Sequence, residues 1–165
     1  MNDVLSPVRR RGGTAVAVAL LSACLAAASS ASAAPAYADS VAARFTTAQP
    51  DWRPGQSAQS ATVALVFQRD GNLVLVQRGS GKPLWASGTR DRGVVRLVWT
   101  STGFIRLKNA AGNDVCTIGK TRPAAGGHAS VQDDGNLVFY KPNGVPSWAS
   151  DTDGLKQGTT NYCFG

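Results

Sequence analysis

The sequence predicts an all-β domain, and three observations carry the prediction. Downstream of Trp52 no stretch keeps a helical period, and short β-branched or aromatic runs alternate with Gly, Pro, Asn and Asp clusters. One of those runs then recurs almost unchanged later in the chain. Internal repetition of a short β unit is the signature of a domain whose units cannot bury an apolar face alone.

The strand candidates are Ala61–Phe67, Leu73–Val76, Val94–Trp99, Phe104–Leu107 and Leu137–Tyr140. The recurring segment is Gln68-Arg69-Asp70-Gly71-Asn72-Leu73-Val74-Leu75-Val76, which returns 64 positions later as Gln132-Asp133-Asp134-Gly135-Asn136-Leu137-Val138-Phe139-Tyr140. Each copy is followed by a Trp-Ala-Ser triplet, at Trp85–Ser87 and Trp148–Ser150. Half the offset lands on Thr100–Lys108, where Gly103 and the apolar alternation persist but the polar residues are lost. Three units of about 32 residues therefore fill the domain and pack around a shared axis. Trp85 and Trp148 are expected to point inward, with Cys116 near the equivalent place in the middle unit and Trp99 or Trp52 filling the gap.

The region ahead of the repeats reads as an export signal. Arg9, Arg10 and Arg11 precede an uncharged, Ala-, Val- and Leu-rich stretch from Gly12 to Ala38. Ala31-Ser32-Ala33 and Ala36-Tyr37-Ala38 both offer a small-x-small cleavage pattern. Leu21-Ser22-Ala23-Cys24 also resembles a bacterial lipobox, which would leave Cys24 lipidated. The run is too Ala-rich, and too broken by Ser22, Ser29, Ser30 and Pro35, to favour a retained membrane span. The expected layout is a signal over 1–33 with cleavage as late as Ala38, a small-residue linker over 34–50, and one folded domain over 51–165. The expected location is extracellular, the alternative being a lipid anchor at the outer face of a bacterial cell membrane.

Removing Arg9–Arg11 and Asp3 with the signal lowers the formal charge from +7 to about +5. The cations Arg44, Arg53, Arg69, Arg78, Arg90, Arg92 and Arg96 are scattered singly, without the basic stripe and interleaved aromatics of a nucleic-acid binder, so no specific nucleic acid is expected. Cys116 and Cys163 are the two cysteines left after the signal, and in an oxidising compartment they are expected to pair. Such a bond would stabilise the fold by roughly 2–4 kcal/mol in the chain-entropy model.

The chemistry rests on the third unit. In an extended strand Gln132, Asp134, Asn136, Val138 and Tyr140 would share one face, supplying two amides, a carboxylate, a phenol and an apolar contact. Sugar hydroxyls both donate and accept, and this set answers them. Asp-Gly-Asn is equally the composition of a hairpin turn, but a turn alone requires neither Gln132 nor Tyr140. Q-x-D-x-N-x-V-x-Y resembles the sugar-site signature of the bulb-type, monocot mannose-binding lectins, and residues 132–140 match it at every defined position. The similarity extends over roughly Trp52–Gly154.

The resemblance implies a β-prism of three four-stranded antiparallel sheets with pseudo-threefold repeats, no metal or other cofactor, and mannose-type glycans or polysaccharide as partners. It assigns sugar contacts to Gln132, Asp134, Asn136 and Tyr140, with Val138 packing on the ring. A weaker site follows at Gln68, Asp70, Asn72 and Val74, because Val76 replaces the tyrosine. None is expected at Thr100, Thr102, Phe104, Arg106 and Lys108. It also allows a homodimer through the C-terminal segment; contact with a membrane is expected only if Cys24 is lipidated.

No catalytic residue is expected. The chain has no Glu, the adjacent Asp133 and Asp134 do not face each other as a glycosidase pair must, and His128 lacks the partners of a zinc site or a triad. Asp151-Thr152-Asp153-Gly154 resembles a calcium loop but lacks its closing Glu. The alternative from a different class is a protein-interaction, inhibitor or antibacterial module on the same scaffold with decayed sugar sites.

Overall fold

The β-branched runs pair as antiparallel hairpins, and the hairpins build three sheets in a computed structural model that describes residues 44–46, 51–158 and 163. The export signal expected over 1–33, its later cleavage point at Ala38, Cys24 and most of the 34–50 linker lie outside the described residues. The first sheet contains β2 (Ser57–Gln59), β3 (Val63–Phe67), β4 (Leu73–Gln77) and β5 (Pro83–Ala86) in that order. The middle sheet contains β6 (Val94–Trp99), β7 (Ile105–Asn109) and β8 (Asp114–Ile118). The third orders β1 (Arg44–Phe45), β9 (His128–Val131), β10 (Leu137–Tyr140) and β11 (Pro146–Ala149). The helical element among the described residues is a 3-10 turn at Asp153–Leu155.

The middle sheet corrects the expectation of three four-stranded sheets. The place of its fourth strand is taken by one bridge, in which the Trp52 N–H donates to the Leu97 carbonyl at 2.9 Å and the Leu97 N–H returns at 3.0 Å. Pairing stops there because Pro54 has no N–H to offer and Gly55, at φ +99°, turns the chain toward β2. The linker expectation changes too, since Arg44 and Phe45 pair with Ser130 and Ala129 of β9. The segment leading into the repeats thus supplies an outer strand to the third sheet, a bridge to the middle one and β2 to the first.

The threefold relation is visible in the register. Leu75 lies opposite Trp85, Leu107 opposite Cys116 and Phe139 opposite Trp148, so Cys116 holds the expected tryptophan position of the middle unit. Each hairpin shifts register one residue later, between Leu75 and Val76, Leu107 and Lys108, and Phe139 and Tyr140. Such a bulge re-aims the following side chain, here the last residue of each motif. Inward rows of Leu, Phe, Ile and Val fill the centre, where Phe67, Phe139, Leu65, Leu75 and Leu107 are fully buried. Each contributes about 1.5–3 kcal/mol relative to an exposed side chain. Trp85 and Trp148 meet edge to face at 5.9 Å, and Trp99 meets Phe139 at 4.9 Å. Cys116 and Cys163 form the expected disulfide, which ties the C-terminal segment to this core. Gly158 lies on that segment, its N–H bonded to the Leu84 carbonyl at 2.8 Å; a Cβ there would come within 2.4 Å of the Ser150 carbonyl oxygen.

Candidate functional site

The motif of the third unit begins as a hairpin turn and ends as a strand. The Gln132 N–H donates to the Asn136 carbonyl at 2.8 Å, the Gly135 N–H to the Gln132 carbonyl at 3.0 Å, and Asp134 Oδ1 accepts the Asn136 N–H at 2.9 Å. Gly135 sits at φ +98°, a conformation that glycine adopts without penalty. The single extended row expected from the sequence is therefore not formed. Val138 and Tyr140 lie on β10, whereas Gln132, Asp134 and Asn136 lie on the turn before it. The first unit repeats the geometry through Gln68, Gly71, Asp70 and Asn72. In the middle unit Thr100 Oγ1 takes the place of the aspartate oxygen and accepts the Phe104 N–H at 3.2 Å.

The turn still brings the expected residues together. Gln132 Nε2 donates to the Tyr140 hydroxyl at 2.7 Å, closing a polar edge around Val138. The tyrosine proton remains available for donation, and Gln132 Oε1 for acceptance. Asp134 is exposed, with one carboxylate oxygen held by the turn. His128, directly opposite Tyr140 on β9, stacks on its ring with centroids 5.4 Å apart and planes 24° apart. The small exposed edge of Val138 beside these donors and acceptors suits a sugar ring and its hydroxyls.

Asn136 has a second role, which sequence reasoning missed. It is 9% exposed, and its Oδ1 accepts from Ser150 Oγ at 2.9 Å and from the Thr152 N–H at 3.3 Å. Ser150 Oγ in turn accepts the Leu137 N–H at 3.0 Å, and Thr152 Oγ1 donates to the Gly135 carbonyl at 2.6 Å. The first unit builds the same cage from Asn72, Ser87 and Thr89, with Asn72 Oδ1 accepting at 3.0 and 3.1 Å. The available signal was the extension of Trp-Ala-Ser by a threonine two residues on, at Thr89 and Thr152. In the middle unit the amide gives way to Phe104 and the serine to Ile118, both buried in the apolar core. A polar cage is thus replaced as a set, so no serine of the cage is left in the middle unit without its asparagine acceptor.

Asp133 is also structural. It is exposed, and its Oδ1 accepts the Ala61 N–H at 2.7 Å. Ser60 Oγ donates to the Gln132 carbonyl at 3.0 Å and Thr62 Oγ1 to the Asp133 carbonyl at 2.6 Å, so a loop of the first unit buttresses the turn.

The three outward faces differ in chemistry. The first unit places Ala64, Val66, Val74 and Val76 together in a buried apolar cluster, and its Asp70 pairs with Arg90 at 3.4 Å. The Gln68, Asp70, Asn72 and Val74 set keeps its turn but has no phenol. The middle unit carries Arg106 over the Phe104 ring at 5.3 Å and pairs Arg106 with Asp114 at 3.4 Å; Lys108 bonds the same carboxylate. Near the third site, the hydrogen bond from Lys156 holds the exposed Asp153 carboxyl below its ordinary range. Among the described residues, no three His, Cys, Asp or Glu side chains cluster as metal ligands, and no helix is long and apolar enough to cross a membrane.

Comparison with solved structures places this architecture beside lectins. A lectin of Marasmius oreades is 22% identical with a TM-score of 0.53, over 64% of this chain and 87% of its own. A monomeric monocot mannose-binding lectin of Gastrodia elata is 21% identical with a TM-score of 0.51, over 67% and 97%. A mannose-specific lectin of Crocus vernus is 22% identical with a TM-score of 0.51, over 60% and 88%. At these identities the likeness shows a shared fold. No protein-family model and no curated protein matches the chain.

Proposed function

We propose that the protein is a non-catalytic, bulb-type lectin that binds mannose or mannose-bearing glycans through the third unit. The observation that carries this reading is the Gln132–Tyr140 hydrogen bond, which closes a polar rim around the small exposed edge of Val138 on a fold shared with mannose-binding lectins. Gln132, Asp134, Asn136 and Tyr140 supply the polar contacts, and Val138 meets the C–H face of the ring. The first unit binds more weakly because Val76 offers no hydroxyl and Arg90 engages Asp70. We also read the chain as exported, supported by its disulfide and by the layout of residues 9–38. Fractionation of producing cells into medium, membrane and cytosol tests that reading.

A few neutral hydrogen bonds at a net ~0.5–1.5 kcal/mol each, set against the cost of association, give millimolar affinity for a monosaccharide, near −4 kcal/mol. Two such sites on one glycan surface raise avidity by roughly 10²–10⁴. The test is binding to immobilised mannan. Tyr140→Phe is expected to weaken it by about three- to tenfold, the worth of one or two hydrogen bonds. Thr102→Ala, in the middle turn, is expected to leave it unchanged. Absence of mannan binding by the unmodified protein would favour the interaction-module reading.

A further inference from the structure

The mannose reading leaves unused a cleft on the middle sheet. It lies between β6 and the turn joining β7 to β8, has a volume of about 170 Å³, and is lined by Arg53, Val95, Arg96, Asn109 and residues 110–112. We propose that this cleft is a second binding site, which takes an oxyanion group of an acidic polysaccharide.

The cationic side chains carry the argument. Two guanidinium groups border one small concavity, and that of Arg53 has no ion-pair or hydrogen-bond partner among the described residues. Arg96 donates through Nε to Asp51 at 3.3 Å, with both side chains more than a third exposed. Its terminal nitrogens have no other partner among the described residues. Asn109 uses its side-chain oxygen to accept the Asn113 N–H at 3.0 Å, which leaves its amide NH2 as a neutral donor at the wall. Lys108 bonds the Gly112 carbonyl at 3.1 Å and pairs with Asp114, a carboxylate it shares with Arg106, so it is tied to the turn. Arg53, Arg96 and Asp51 together therefore leave one net positive charge at the cleft, with the Arg96 terminal nitrogens still open to a ligand.

Size and chemistry narrow the ligand. Pockets for drug-sized molecules run to about 300–1,000 Å³, so this cleft accommodates one charged group and part of a ring. Planar guanidinium forks match carboxylate and sulfate oxygens, and Arg is the residue of choice for such contacts. At partly exposed positions the attraction is screened by salt, so a polymer with repeated charges gains where a free anion does not. The mannose site presents amides, a phenol and the Asp134 carboxylate instead, none of which attracts an anion as a guanidinium does, so the two sites select different sugars and this inference stands independently of the first.

The experiment measures binding of the disulfide-bonded protein to immobilised polygalacturonate and to dextran sulfate, with neutral mannan alongside, across a salt series. Salt-sensitive retention is expected on at least one acidic polymer, and the stronger of the two identifies the oxyanion. Arg53→Ala with Arg96→Ala is expected to weaken that binding by about tenfold, as for two charge-assisted contacts in partial exposure. Mannan binding by the same variant stays at the level of the parent. Asp51→Asn removes the competing carboxylate and is expected to strengthen acidic-polymer binding by about two- to threefold. Arg122→Ala with Lys141→Ala removes the same formal charge from other loops and serves as the control. No retention of the parent on either acidic polymer, equal losses from the two double variants, or no gain from Asp51→Asn would each overturn the proposal.

Discussion

Replacing Asn136 by alanine is expected to destabilise the protein by about 2–4 kcal/mol, because the side chain removed is the acceptor for a buried hydroxyl and a buried N–H. Ser150 Oγ and the Thr152 N–H both converge on Asn136 Oδ1, and neither has water at hand in a site where Ser150 and Thr152 are fully buried. For a domain of this size the loss corresponds to a fall in melting temperature of about 10–15 °C. Asn72→Ala removes the equivalent acceptor from Ser87 and Thr89 and is expected to cost a similar amount. The two variants therefore report on folding, whatever their effect on sugar, and thermal or urea denaturation checks them. Unchanged midpoints in both would show that the cage does not stabilise the fold. For the same reason a loss of mannan binding in Asn136→Ala would be ambiguous, and Tyr140→Phe, whose hydroxyl serves only the outward face, is the cleaner probe.

Removing the disulfide is expected to have a comparable or larger effect. The bond between Cys116 and Cys163 spans 47 residues, and closing a loop of that length constrains the unfolded chain by about 4 kcal/mol in the chain-entropy model. Both termini of the loop matter to the fold: Cys116 occupies the core position taken by tryptophan in the other units, and Cys163 lies beyond the segment that Gly158 anchors to β5. Cys116→Ala with Cys163→Ala, or reduction of the native protein, should lower the urea midpoint by about 1–4 M. An identical midpoint with and without reductant would contradict this account.

The sequence revealed the elements whose signal is periodic and local. Val63–Phe67, Leu73–Gln77 and Leu137–Tyr140 emerge as strands because β-branched residues recur between turn residues, and the repeat spacing puts Cys116 near the tryptophan place of the middle unit, where the register sets it opposite Leu107. What it hid were interactions between units. Pairing of Arg44 and Phe45 with β9 depends on partners more than eighty residues away, and nothing in a two-residue segment announces it. Gln132, Asp134 and Asn136 fit a strand and a turn equally well by spacing; the left-handed Gly135 and the Asp134 hydrogen bond decided for the turn. The nine-residue motif mixes two kinds of constraint, with Asp and Asn shaping the turn while Gln132 and Tyr140 meet beside it. A shared motif therefore points to a candidate site but does not tell which of its residues also hold the fold together.

The first unit shows the same division. Its Asn72 cage is intact, yet its outward face is apolar because Val76 and Ala64 stand where the third unit has Tyr140 and His128. Retention of Asp-Gly-Asn there is explained by folding alone. In the proposed function, sugar recognition is governed by what accompanies the turn on the neighbouring strands.

The most direct test of that claim is titration of the isotope-labelled protein with mannose, followed by backbone and side-chain amide NMR shifts. The account predicts fast-exchange shifts, with half-saturation at about the millimolar level, at the side-chain amides of Gln132 and Asn136 and the backbone around Asp134 and Tyr140. Smaller changes are expected at Gln68 and Asn72, and none across Thr100–Lys108. No shift at any of these positions, or shifts confined to the Arg106 and Lys108 face, would contradict it.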